Sequence, residues 1–166
     1  MSRFDELCAA YGEFRSRAIA ERDGCWNFAI HLMAELKDYL GYPGDFQFEP
    51  VKSKPATGMT YSLPGAMEVD ERGSWHLGVL ITIYEAPNRF PQFRGLLHLV
   101  IKRLSEGSFI VKPAPEAPDI AVVWRDASAF RPVCEAIFNM IKHSFSEPDA
   151  DALGEGSGAK KIGFVV

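Results

Sequence analysis

Cysteine is scarce: three residues in 166, at Cys8, Cys25 and Cys134. They are widely spaced, and each falls on the apolar stripe of a predicted helix. They therefore read as buried free thiols, not as a disulfide framework or a metal site. Long apolar runs are missing as well. The longest, Leu77 to Ile83, is broken by Gly78 and Thr82 and falls far short of the ~20 residues a membrane helix needs. The opening "MSRFDELCAAYGEF" carries Asp5, Glu6 and Glu13 and has no apolar core of the kind a secretory signal needs. These patterns read as a cytoplasmic chain with no membrane partner. Basic charge is in deficit too, with 18 Lys and Arg against 22 Asp and Glu and a net charge of -4. That balance weighs against binding a nucleic-acid backbone.

Familiar catalytic signatures are equally thin. The stretch "GEGSGAKK" has the look of a phosphate loop, but Ala159 separates Gly158 from Lys160, and neither Ser nor Thr follows the lysines. A phosphate loop also needs a helix to open at that lysine. No Gly-x-Ser-x-Gly elbow or Cys-Gly-Ser-Cys-Trp run is present. Cys25 and His31 lie six residues apart on one helix and so diverge by 240°. His31, Glu35 and Asp38 share a helix face opposite the apolar stripe, which reads as a solvated face. Asp70 and Glu71 sit in "VDERGS", a turn whose solvation accounts for both. Nothing here calls for a cofactor or a metal, and we find neither an internal repeat nor a recognisable family motif.

What is present is an ordinary globular composition, 47% hydrophobic and 24% charged, in a chain long enough for one well-buried core. We read residues 1-145 as a single domain, 146-160 as a flexible linker and 161-166 as an apolar, strand-like tail. Apolar residues at Phe4, Leu7, Cys8, Tyr11, Phe14 and Ala18 mark one helical stripe. A second set, Cys25, Trp26, Ala29, Leu32, Met33, Leu36 and Leu40, keeps the phase of the first across Asp23-Gly24. An unbroken helix would be about 55 Å long, whereas a compact domain of this size is about 40 Å across. Two helices, or one kinked near Asp23, are therefore expected, with a stop at Gly41 and Pro43.

The period then changes to two. Short strands are expected around Phe46 and Phe48 and over Met59 to Leu63. A long hairpin follows from "SWHLGVLITIYEA" and "FRGLLHLVIKRL", joined by "PNRFPQ". With Trp75, Leu77, Val79, Ile81 and Ile83 facing inward, pairing Val79 with Leu99 satisfies both strands. Phe109 to Lys112 continues the meander, "IAVVW" adds a buried strand, and Phe130 to Phe145 forms a last helix with Pro132 in its first turn. The fold class is α+β, an antiparallel meander sheet of about five to six strands packed by the N-terminal and C-terminal helices.

Two surfaces carry the functional candidates. The outer face of the hairpin bears Tyr84, Arg94, His98 and Lys102, groups suited to an anionic or peptide ligand. In the expected register His98 lies opposite Leu80 and about 13 Å from His76, so the two cannot share a metal. The tail offers Ile162, Phe164 and Val166, either as an added strand on the chain's own sheet edge or as a docking strand for another protein. The leading functional expectation is a non-catalytic binding or adaptor protein. It would recognise a protein or peptide partner through sheet face, sheet edge or tail, and the long N-terminal stripe suits a homodimer. The alternative is an enzyme or sensor that holds a small anionic ligand around His98.

Overall fold

The computed structural model describes residues 1-86, 89-146 and 160-163. Its first element is one continuous helix, α1 (Arg3–Leu40). Ser2 opens it with a capping box: its Oγ accepts the Asp5 N–H, and the Asp5 carboxylate accepts the Ser2 N–H at 2.9 Å. These bonds satisfy two of the donors that every helix start leaves free. Gly41 closes it in the left-handed conformation, φ 61°. The expected break at Asp23-Gly24 does not occur. Asp23 pairs with the neighbouring Arg22, and at Gly24 a Cβ would come within 3.3 Å of the Arg103 side chain. The glycine there serves close packing on the sheet, not a turn.

At 38 residues α1 is about 57 Å long, and the domain does not cover it. Residues 1-21 are all exposed, and burial starts at Cys25. From there Cys25, Phe28, Ala29, Leu32, Met33 and Leu36 lie in the core. Cys8, expected to be buried, is exposed because its part of the stripe runs beyond the sheet.

After α1 come β1 (Gln47–Glu49), a single helical turn α2 (Leu63–Ala66) and β2 (Glu68–Val69). The hairpin β3 (Trp75–Ala86) and β4 (Arg89–Ser105) leads into β5 (Ser108–Lys112) and β6 (Ile120–Val123). A 3-10 turn over Ala127–Phe130, capped by Asp126, precedes α3 (Arg131–His143), and β7 (Lys160–Ile162) comes last. The sheet order is β1-β3-β4-β5-β6, with β2 also on β3 and β7 on β4. Among the described residues all pairings are antiparallel except β7 with β4. Met59 to Leu63 does not form the expected strand. Tyr61 makes one bridge to Phe48, and Leu63 enters α2, where Ser62 caps the turn and Pro64 occupies an early helical position.

Odd-numbered residues of the hairpin face the helices. Leu77, Val79, Ile81, Leu97, Leu99 and Ile101 are at most 1% exposed and share one core with the buried faces of α1 and α3. The register, however, differs by two residues from the expected one: Val79 pairs with Leu97 and Leu77 with Leu99. Pairing runs up to Ala86 and Arg89, a far tighter reversal than a six-residue "PNRFPQ" loop. A slip of two keeps every side chain on its face, so hydrophobic alternation cannot detect it.

β7 fills a gap. β4 is 17 residues long, and β5 covers it only from Val100 onward. The tail takes the vacant edge at Gly95 to Leu97, which removes part of an open strand edge. Ile162 is 4% exposed and sits over Gly95, where a Cβ would collide with its side chain. The Gly95→Ala variant is therefore expected to dislodge β7, costing about 1–3 kcal/mol as an overpacked site does. Amide exchange at residues 160 to 162 checks this; protection equal to wild type would contradict it.

Candidate functional site

The face of the sheet away from α1 and α3 carries the even-numbered hairpin residues. In the observed register His76 lies opposite Val100 and His98 opposite Gly78, so the two imidazoles are diagonal neighbours. The expected 13 Å separation is thus corrected: His76 Nδ1 is 2.7 Å from His98 Nε2. On its other side His76 Nε2 is 2.8 Å from Asp70 Oδ2. Asp70 is positioned by the turn before β3. Its carboxylate accepts the Arg72 N–H at 2.8 Å and the Ser74 N–H at 3.0 Å, while Gly73 takes φ 79°. The turn explains part of this carboxylate's role, but its bond to His76 makes it more than a solvated turn residue.

The three groups form a chain, carboxylate to imidazole to imidazole. Asp70 can only accept, so His76 Nε2–H donates to it. Between His76 Nδ1 and His98 Nε2 one ring nitrogen donates and the other accepts. The hydrogen bond from His76, helped by the two backbone donors against the cost of burial, holds the Asp70 carboxyl down at about 2. Burial is the first cause that pushes the His98 imidazole down to about 4. His76, Lys161 and Lys52 push the same way, and Glu116 opposes them. His98 is thus a neutral group at pH 7, held in a half-buried site with cationic neighbours.

The other candidates on this face do not converge on it. Arg94 stands across from Thr82 and Lys102 across from Ile110. Each is four residues from His98 along β4, about 13 Å. Tyr84 pairs with Gln92 and lays its ring edge-on to Phe90 at 6.2 Å, about 20 Å from His98 along the strand. Of the tail candidates, Ile162 is buried in the chain's own core, and Phe164 and Val166 lie outside the described residues.

The remaining chemistry is sparse. The Cys25 and Cys134 thiols are both pushed up to about 11, burial being the first cause, so neither forms a thiolate readily at neutral pH. Among the described residues no group of three or more His, Cys, Asp and Glu is placed to hold a metal ion, and no helix is long and apolar enough to cross a membrane. A cleft of about 380 Å³ lies between α3 and the connector after β5. Its lining includes Pro113, Pro118, Ile120, Met140 and His143, and none of the three groups of the polar chain. Cavity and titratable chain are on different parts of the molecule.

Apart from these groups stands the free half of α1. Phe4, Leu7, Tyr11 and Phe14 are 72%, 67%, 64% and 61% exposed, on the same stripe that packs on the sheet further along. The clue was the helical phase that runs unbroken through Asp23-Gly24. Comparison with protein-family models, curated proteins and solved structures finds no match to this chain. The fold defines an α+β domain with a sheet, helices on one face of it and a projecting helical arm.

Proposed function

We propose that this chain is a non-catalytic binding protein that engages a protein partner through the projecting half of α1. The observation that carries this reading is the row of four large apolar side chains, each more than 60% exposed, along about three turns of capped helix. Surface apolar residues are common singly, but a contiguous row of this kind marks an interaction surface. An isolated helix of about 20 residues is also marginal in water, above all with Gly12 in its middle, and gains most of its stability by packing. The other surfaces the sequence offered have weaker support. The tail edge is occupied by β7, His98 bonds to His76 while Tyr84, Arg94 and Lys102 stand apart from it, and the cleft lies elsewhere.

A photo-cross-linking residue placed at Phe14 tests the reading in the producing cell, with the same residue at the outer-face position Thr82 as reference. Adducts to protein at position 14, well above those at 82, are expected. An arm that yields no protein adduct at all would refute it.

A further inference from the structure

We infer that the occupant of the arm is a second copy of this chain, its own arm laid antiparallel against the first. This rests on the arm being the binding surface and goes on to name what binds. Phe4, Leu7, Tyr11, Phe14 and Ala18 are spaced three and four residues apart, the a and d positions of a two-stranded seam. The seam continues in phase to Cys25, Phe28 and Leu32, which are buried against the sheet. One face of one helix is therefore covered by its own domain in its second half and uncovered in its first.

The length and direction of the free stripe select the partner. A parallel copy would follow the seam toward Cys25 and meet the sheet that already covers it. An antiparallel copy overlaps only the free turns, with Tyr11 opposite Phe14 and Leu7 opposite Ala18, and keeps the two domains at opposite ends. Charge agrees. The heptad positions beside the seam hold Arg3, Arg15, Arg17 and Arg22. Parallel strands would set Arg17 against Arg22 of the other copy, whereas antiparallel strands set Arg17 beside Ala10 and remove that like-charge pair. Antiparallel packing also opposes the two helix dipoles. The area is sufficient: at ~200 Å² per large side chain, the four exposed residues offer about 500 Å² per copy, or about 1,000 Å² for the pair, the size at which specific interfaces begin.

Sedimentation equilibrium of the full chain at concentrations from about 1 to 100 μM tests this. A mass of twice 18.5 kDa is expected, with association at least 100-fold weaker in the Leu7→Glu/Phe14→Glu double variant. Both substituted positions are solvent-exposed and outside the core, so the variant's thermal midpoint should stay near wild type. Direction is read separately. In the antiparallel seam Cys8 faces position 15 of the other copy. The Arg15→Cys variant should therefore form a disulfide-linked dimer on mild oxidation. The same two positions within one helix are about 10 Å apart, too far to bridge. Monomer at every concentration, or a dimer that the double variant leaves intact, overturns the second copy; a dimer in which Arg15→Cys does not cross-link overturns the antiparallel seam. A monomer whose position 14 still cross-links to a different protein in cells would keep the binding reading and discard this one.

Discussion

The Phe28→Ala variant is expected to lose about 3–5 kcal/mol of stability, the range for deleting a buried aromatic side chain. Phe28 is fully buried on the inner face of α1. Its ring stacks on Phe109 of β5 with centroids 4.0 Å apart, and it meets Phe130 at 5.3 Å and Trp124 edge-on at 5.9 Å. Trp124 in turn packs on Phe130 at 5.5 Å. The four rings join the first helix to the far strands of the sheet and to the turn that leads into α3. Removing the central ring leaves a cavity walled by rigid aromatic side chains, which cannot collapse into it as a cluster of leucines could. Phe28→Leu keeps most of the volume and should cost well under half as much. Urea unfolding of both variants measures the difference, with the m-value showing whether the native state remains intact. A loss below about 1 kcal/mol for Phe28→Ala would mean that the ring cluster is not what ties α1 to the sheet.

Phe28 also shows how far the sequence could be read. The apolar stripe it belongs to was legible, because a helix repeats every 3.6 residues and the stripe keeps its phase from Phe4 to Leu40, but the set read from the sequence held Trp26 and passed over Phe28, which is the fully buried one. What covers each part of that stripe was not legible. Compactness argued for a break at Asp23-Gly24, and the helix instead runs on into solvent, so Cys8 is exposed where the pattern alone put it inside. In the hairpin the facing of Leu77, Val79, Leu97 and Leu99 was equally legible from alternation. The pairing partner was not, since a two-residue slip leaves every face unchanged and only the turn decides it. That slip hid the polar chain: with His98 placed opposite Leu80 the two histidines stood apart, and with His98 opposite Gly78 they touch. Asp70 was hidden for another reason. It reaches His76 by way of a turn whose geometry is set by Gly73, and a turn carboxylate ordinarily needs no partner beyond water.

That polar chain should make the protein sensitive to acid in two separable steps. In the unfolded chain an imidazole takes up its proton near 6.5, while in the folded protein His98 does so only at about 4. Between these values unfolding binds a proton that the native state refuses, so stability falls as pH drops from 6.5 to about 4. A shift of this size has a ceiling near 3 kcal/mol; with the ring only half-buried, about 1–2 kcal/mol is expected. Asp70 acts lower. Its carboxyl ionises at about 2 in the folded protein, against 3.8 when free, so its stabilisation is complete above 3.8 and is lost between 3.8 and about 2. The groups that face His98 come from four places: His76 on β3, Lys161 on β7, Lys52 after β1 and Glu116 in the connector after β5. Three of these oppose a proton on His98. Protonation should accordingly strain the β7 pairing as well as the hairpin. The His98→Gln variant keeps an amide donor for His76 but cannot titrate, so its stability should stay level from pH 6.5 to 4 and then fall with wild type below 3.8. Denaturant unfolding of both proteins at half-unit pH steps checks this. Parallel curves from pH 6.5 to 4 would show that His98 takes up its proton equally well folded and unfolded, and that the chain Asp70–His76–His98 does not hold it neutral.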